Sequence, residues 1–298
     1  LSKQTRSVLL DLELILKNAQ VPSPRFDTES IVAFVLGIER SRLGLIQQID
    51  DEQYCEIKKL IEKRQRRIPL QHLLNEQGFR RIILEVGQGV FIPRPETELL
   101  VESSIRYLNN LGAGPKTVID YCAGSGAIAL SVAMEVENTL VFAVEKSEVA
   151  FDFLTRNFNK YKQEIEQNNS QVVLINKSII DEIAEVALLE QQVDAVLSNP
   201  PYIPEKMIPK EPEVKDHEPE MALFGGKDGL DIVRVVIEKA SSLLKPGGFV
   251  AIEHADVQGS STEESGVPYL MIKSNNFEKI EDKRDLNGLS RYCIGIKK

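Results

Sequence analysis

Residues 117–126 read Thr117-Val118-Ile119-Asp120-Tyr121-Cys122-Ala123-Gly124-Ser125-Gly126, an apolar run closed by an acid and then by two glycines. The run predicts a strand over Thr117–Asp120, the glycines a tight turn, and the apolar stretch Ala127–Val136 a helix. The same alternation continues toward the C-terminus. Strands are expected at Leu140–Val144, Val172–Ile175, Ala195–Leu197, Phe249–Glu253, Lys279–Asp282 and Tyr292–Ile296, with helices at Ser147–Tyr161 and Gly229–Leu244 between them. Strands and helices in this order specify an α/β fold, a mostly parallel sheet with helices on both faces.

Toward the N-terminus the pattern changes. Residues 1–67 read as four or five short helices forming a small bundle. Val8, Leu9, Leu12, Leu14, Ile15 and Leu16 make a helical stripe that Pro22-Ser23-Pro24 breaks. Asp27 is expected to cap the next helix, in which Ile31, Phe34, Val35 and Ile38 share a face; Ser41 and Asp50/Asp51 offer further starts. The basic cluster Lys58, Lys59, Lys63, Arg64, Arg66, Arg67 is a solvated helix face or a partner contact. A hairpin is expected next, with Phe79–Val86 as one strand, Gly87-Gln88-Gly89 as the turn and Val90–Ile92 returning. Pro93-Arg94-Pro95 stops regular structure, and Glu96 or Thr97 opens a helix to about Leu108. The expected domains are a helical bundle over 1–75, a hairpin linker over 76–93 and the α/β domain over 94–298.

The 298 residues, 42% of them hydrophobic, are ample for a real core in each part. No run of 18 apolar residues exists, so no membrane-spanning helix is expected, and Val8-Leu9-Leu10 is broken too soon by Asp11 and Glu13 for a signal peptide. Cys55, Cys122 and Cys293 are odd in number and far apart, which argues against a disulfide framework and for a reducing cytoplasm. His72, His217 and His254 are scattered, and no metal site is expected. The net charge of −9 is uneven: residues 1–85 hold 14 Lys/Arg against 12 Asp/Glu, a net +2, and the remainder 22 against 33, a net −11. An acidic main domain is ill suited to a nucleic-acid backbone, although it can meet a basic protein partner.

A Gly-x-Gly turn alone is weak evidence for a ligand. Here Asp120 precedes the glycines, where a cationic amine would be recognised, and Glu145 ends the next strand, where a carboxylate can accept ribose hydroxyls. Gly124 and Gly126 let a ligand lie against the backbone and the helix N-terminus. The spacing is not the Gly-x-Gly-x-x-Gly that a pyrophosphate requires. These features favour S-adenosylmethionine, with its positive sulfonium and amine, over NAD.

The second chemical signal is Ser198-Asn199-Pro200-Pro201-Tyr202, directly after the apolar run Val193–Leu197. The Asn199 side-chain oxygen and the Pro200 carbonyl are adjacent acceptors that suit the two hydrogens of a planar NH2 group. Pro200 and Pro201 carry no competing N–H, and Tyr202 can cover a flat substrate face.

From about Pro69 onward the chain resembles the HemK/PrmC family of protein-glutamine N5-methyltransferases, which modify class I peptide chain release factors. The resemblance rests on Pro69-Leu70-Gln71-His72, Phe91-Ile92-Pro93-Arg94-Pro95-Glu96-Thr97-Glu98, Gly124-Ser125-Gly126, Asn199-Pro200-Pro201-Tyr202 and the run from Glu218-Pro219 through Gly225-Gly226-Lys227-Asp228-Gly229-Leu230-Asp231. Glu253-His254 and Arg284-Asp285-Leu286 extend it. It implies a Rossmann-like S-adenosylmethionine-dependent methyltransferase sheet with helices on both faces plus a small N-terminal helical bundle that docks the release factor.

The resemblance also implies site residues. Asp120, Cys122, Ala123, Gly124, Ser125, Gly126, Glu145, Ser178, Asn199 and Arg94 would bind S-adenosylmethionine. Asn199, Pro200, Pro201 and Tyr202 would hold the substrate, with Asn199, Pro200 and Tyr202 catalytic. Glu211 and Glu213 are expected in a solvated acidic loop, and Asp228, Glu218 and Glu253 are open between structure and function. The chain departs from the family in Cys122, where Gly is usual, in Tyr121, where Leu is, and in Asn176-Lys177-Ser178, which replaces an acidic-aromatic pair beside the adenine. Lys177 cannot accept a bond from the adenine amino group, so weaker affinity or a different adenine contact is expected.

The expected partner is a release factor, with neither nucleic acid nor membrane bound directly, and the expected state is a monomer. Two alternatives remain at this stage. One is methylation of adenine N6 or cytosine N4, which would require base flipping; the other is a non-catalytic binding module.

Overall fold

The computed structural model describes residues 2–298. Along the chain the elements are β1 (Ser2–Gln4), α1 (Thr5–Asn18), α2 (Pro24–Leu36), β2 (Gln48–Asp50), α3 (Asp51–Gln65), α4 (Leu70–Leu74), β3 (Glu76–Phe79), β4 (Ile82–Glu85) and α5 (Pro95–Asn110). They continue as β5 (Lys116–Tyr121), α6 (Ala127–Glu135), β6 (Thr139–Glu145), α7 (Glu148–Gln167), β7 (Gln171–Asn176), α8 (Ala184–Ala187), β8 (Val193–Ser198), α9 (Pro212–His217) and α10 (Glu220–Leu223). The chain closes with α11 (Asp231–Leu243), β9 (Leu244–Glu253), α12 (Val267–Ser274), β10 (Phe277–Arg284) and β11 (Ser290–Lys297). Two compact units form. One takes the described residues up to Glu76 together with Pro209–His217, and the other takes Gln77–Ile208 and Glu218–Lys298.

The first unit packs Leu12, Leu16, Ile31, Ile49, Ile57 and Ile61 into its own core. It is not purely helical, because β1 and β2 pair antiparallel. A three-residue strand with only Ile49 buried is too short for alternation to show in sequence. Asp50 caps α3 with a reciprocal Gln53 capping box. Asp27 does not cap α2: Pro24, with its φ already set for a helix, opens that helix after Ser23. Asp27 is instead buried within it, accepting a 2.7 Å bond from Arg64. Phe34 is 43% exposed, so it does not share the buried face of Ile31, and Ile38 lies beyond the left-handed cap Gly37.

The basic cluster on α3 is also not uniformly solvated. Arg64 is 4% exposed, and its guanidinium reaches Asp27 and, at 2.8 Å, Glu213. Arg67 grips the same Glu213 with two bonds of 2.7 Å. Glu213 is therefore an anchored residue of this unit rather than part of a solvated loop, whereas Glu211 is exposed. Burial pushes the Glu213 carboxyl up, but the hydrogen bonds from Arg67 and Arg64 outweigh it and hold it at about 2.

In the second unit the seven-stranded sheet has the order β10-β11-β9-β8-β5-β6-β7. The pairs β5/β6, β6/β7, β5/β8 and β8/β9 are parallel, and β9/β11 and β11/β10 antiparallel. Alternate side chains enter two cores, Val118, Val141, Ala195 and Leu197 on one face and Ile119, Phe142, Val196 and Val250 on the other. Burial on both faces explains why these strands read as continuous apolar runs. The expected strands and helices of this sheet lie within the observed ones or within two residues of them, except that α7 runs on to Gln167 and β9 begins at Leu244.

The hairpin differs more. Its strands are β3 and β4, the turn is Arg80-Arg81, and Val90–Ile92 is not a strand. Arg80 adopts φ 49° and is held there by side-chain bonds to Glu135 and Glu102 and by its N–H on Glu98. Those acids are distant in sequence and compensate for a non-glycine turn residue. Among the described residues, no helix is long and apolar enough to cross a membrane.

Candidate active site

From β5 the chain proceeds outward through β6 and β7, then returns to β8 on the other flank of β5. In open α/β sheets, ligands bind at such a reversal, which here lies beyond the C-terminal ends of β5 and β8. The final residues of these strands, Tyr121 and Ser198, are paired in register, and the Ser198 hydroxyl donates to the Tyr121 carbonyl at 2.7 Å. Glu145 and Glu253 end the flanking strands β6 and β9. Four strand ends thus bring the turn after Asp120, the Asn-Pro-Pro-Tyr segment and two buried acids to one sheet edge.

On the β5 side, Asp120 is fully buried. Its Oδ2 accepts from the Ala129 N–H at 3.0 Å in the first turn of α6. Its Oδ1 is buried with no partner among the described residues. Burial raises the carboxyl well above the usual range, the Ala129 bond opposes this, and the Glu145 charge adds to it. Glu145 accepts from the Gly124 N–H at 2.8 Å and the Ser147 N–H at 2.7 Å; burial raises its carboxyl and these bonds counteract.

Gly124 has φ +58°, and a Cβ there would meet nothing within 4 Å. Gly126, φ +93°, differs: a Cβ would lie 2.7 Å from Leu154 Cδ1, so a side chain there would displace that leucine of α7 as well as strain the backbone. An orphaned buried carboxylate oxygen, a second buried acid and an open glycine turn fit a ligand bearing positive charge and hydroxyl donors.

On the β8 side, Asn199 is partly buried and Pro200 buried. Asn199 Nδ2 donates to Thr97 Oγ1 at 3.3 Å. Thr97 Oγ1 donates to Glu253 Oε2 at 2.7 Å, and the Tyr202 hydroxyl donates to Glu253 Oε1 at 3.2 Å. No backbone N–H among the described residues donates to the Pro200 carbonyl. Burial pushes the Glu253 carboxyl to about 7 against the opposing bonds from Thr97 and Tyr202. Burial, then the Glu253 charge, raises the Tyr202 phenol.

The glycine-rich run is a backing for this segment. A Cβ on Gly225 would lie 2.3 Å from the Pro201 carbonyl oxygen, and one on Gly229, φ +79°, would lie 2.2 Å from that of Tyr202. Two backbone bonds, Ile203 N–H to Leu223 O (2.8 Å) and Gly225 N–H to Ile203 O (3.0 Å), clamp the two stretches together. Arg94 pairs with Glu218 at 2.6 Å. Glu218 is 6% exposed with Oε2 unpartnered, and burial lifts its carboxyl to about 7 despite the Arg94 charge. Asp228 is bound by Arg234 and by the Leu230 N–H.

Residues 7–74 match the family model described as PrmC N-terminal domain, and residues 80–217 match Conserved hypothetical protein 95. The release factor glutamine methyltransferase of Streptomyces coelicolor is 39% identical over 284 residues, 95% of this chain and 94% of that protein. The protein of the same name from Mycolicibacterium smegmatis is 37% identical, covering 94% and 92%. This chain belongs to the release factor glutamine methyltransferase family. It is a methyltransferase. Among solved structures, the Thermus thermophilus 16S rRNA N2 G1207 methyltransferase in complex with AdoMet and guanosine aligns with 75% of this chain and 50% of that chain, at 17% identity and TM-score 0.48.

The structure brings Asp120, Cys122, Ala123, Gly124, Ser125 and Glu145 together at the ends of β5 and β6, with Asn199, Pro200, Pro201 and Tyr202 beside them at β8. The Ala123 N–H bonds to the Val144 carbonyl, and Ser125 is buried with an unpartnered hydroxyl. Cys122, partly buried, adopts φ +63°, a left-handed position that glycine takes without strain; burial, then Glu145 and Asp120, pushes its thiol up. Ser178 lies past β7, its N–H bonded to Asp181. Lys177 is exposed. Thr97 is the residue that sequence reasoning missed. It sat inside a quoted motif, yet nothing local marks it, since its partners are 102 and 156 positions away.

Proposed function

We propose that this chain transfers a methyl group from S-adenosylmethionine to the N5 amide nitrogen of a glutamine side chain in a class I peptide chain release factor, in the cytoplasm. S-adenosylmethionine, when bound, supplies an electrophilic methyl on a sulfonium. Asp120 and Glu145, with the Gly124 turn and Ala123 and Ser125, would hold it, while Asn199 faces both ligands. The helical residues 1–75 would dock the release factor. The names of the curated relatives support the substrate.

One observation carries the reading. Asn199 spends its NH2 on Thr97, which leaves Oδ1 as an acceptor next to the Pro200 carbonyl. An amide nitrogen is a weak nucleophile because its lone pair is delocalised into the carbonyl. Asn199 Oδ1 and the Pro200 carbonyl accept its two hydrogens, and both contacts strengthen as the nitrogen becomes positive. Tyr202 stacks on the flat amide. Orientation of this kind contributes up to about 7–11 kcal/mol. The methylated nitrogen is strongly acidic and loses its proton afterwards, so no dedicated base is required.

The test is incubation of purified release factor with methyl-labelled S-adenosylmethionine, followed by mass spectrometry of the tryptic peptides. A single added methyl on a glutamine amide is expected, and Asn199→Asp should lower turnover at least tenfold, about 1.4 kcal/mol. A modified nucleic acid and an unmodified factor would overturn the reading.

A further inference from the structure

We infer that Glu253, acting through Thr97, is the positioning residue that fixes which way the Asn199 amide faces, and that through Tyr202 it also fixes the aromatic wall of the same site. The inference deepens the proposed function and rests on it. An asparagine amide can present either its oxygen or its NH2 to a ligand, and the two ends have nearly the same shape. Only the oxygen can accept a hydrogen from a substrate amide. Something must therefore choose the end.

The choice follows from one proton. The Thr97 hydroxyl has a single hydrogen, and at 2.7 Å it is directed to Glu253 Oε2. What remains on Thr97 Oγ1 is acceptor capacity, and Asn199 fills it with Nδ2. The side-chain oxygen is thereby turned to the opposite end. The other carboxylate oxygen of Glu253 takes the Tyr202 hydroxyl, so one carboxylate sets two of the residues assigned to the substrate. Thr97 and Glu253 are each 2% exposed; water cannot substitute for either partner. Thr97 is held by α5, Asn199 and Tyr202 by the segment after β8, and Glu253 by the end of β9, so three separate elements meet on this carboxylate.

The arrangement requires an ionised Glu253, because only a carboxylate accepts from both hydroxyls. A protonated Glu253 would offer its own hydrogen to one of them and free the Thr97 hydroxyl to donate to Asn199, which would then turn its NH2 outward. The charged groups acting on Glu253 besides Thr97 and Tyr202 are Glu96 and His254, and Arg94 and Arg291 act on Tyr202. Turnover should fall on the acid side of neutrality.

The experiment measures kcat and KM with a purified release factor as acceptor, for the full chain and for Thr97→Val, Thr97→Ser, Glu253→Gln and Asn199→Ala. Binding of S-adenosylhomocysteine is measured in parallel by calorimetry. Thr97→Val, which keeps shape and loses the hydroxyl, should lower kcat at least tenfold with cofactor affinity within twofold of the parent. Thr97→Ser should recover most of that loss, and Glu253→Gln should flatten the acid limb of the pH–kcat profile. Thr97→Val with unchanged kcat overturns the inference, as does Thr97→Ser as slow as Thr97→Val, since packing would then explain the effect. If Asn199→Ala is itself as fast as the parent, the proposed function fails instead, and the two failures are thus separable.

Discussion

Glu213 in the helical unit and Glu253 in the sheet unit are both carboxylates largely withdrawn from water, at 17% and 2% exposed. Glu213 meets two guanidinium groups and stays ionised down to about 2. Glu253 meets two hydroxyls and no cation at bonding distance, and burial lifts it to about 7. The first is a structural anchor, ionised and held by two ion pairs. The second, at the sheet edge beside Asn199 and Tyr202, is raised to near neutrality. Glu218, also at about 7, shows that one arginine on one oxygen does not offset burial when the other oxygen is orphaned.

The largest expected effect attacks the anchor. Arg64→Met removes the partner of buried Asp27 and one of the two holding Glu213, and should cost about 3–5 kcal/mol. Urea unfolding, with hydrogen exchange at the α2 and α3 amides, would measure it; a loss below 1 kcal/mol would equate the anchor with a surface pair. The pH dependence is sharper, because the two acids act with opposite sign. A carboxyl depressed to about 2 adds stability that is present above about 4.5 and lost as pH falls toward 2. A carboxyl raised to about 7 adds stability that is complete below about 4.5 and lost as pH rises to 7. Glu213→Gln should remove about 2 kcal/mol of the acid-side loss, after discounting for its exposure. Glu253→Gln should remove a decline of about 2 kcal/mol between pH 5 and 7. Equal pH slopes in the two variants would erase the contrast.

The smallest effect lies in the turn after β5. Cys122→Gly relieves a left-handed non-glycine residue and should raise stability by about 0.5–1 kcal/mol. A lower melting temperature would show that the thiol's packing outweighs the backbone strain.

Much of this was legible along the chain. The β5–α6 turn, the run into Asn199 and the order of strands all follow from local apolar periodicity and turn residues. The hairpin was misplaced because two glycines at 87 and 89 outbid Arg80, whose turn depends on Glu98, Glu102 and Glu135. Glu213 was misread as solvated because Arg64 and Arg67 lie 149 and 146 positions away. Gly124 and Gly126 looked equivalent, yet one faces open space and the other a leucine.

The sequence by itself determined the strands, the parallel sheet and the Asn-Pro-Pro-Tyr segment that follows β8, because backbone propensity and alternation act between near neighbours. Tertiary structure alone decided the state of each acid and the facing of Asn199. Those depend on desolvation and on single hydrogens shared between residues that only folding brings within 3.3 Å.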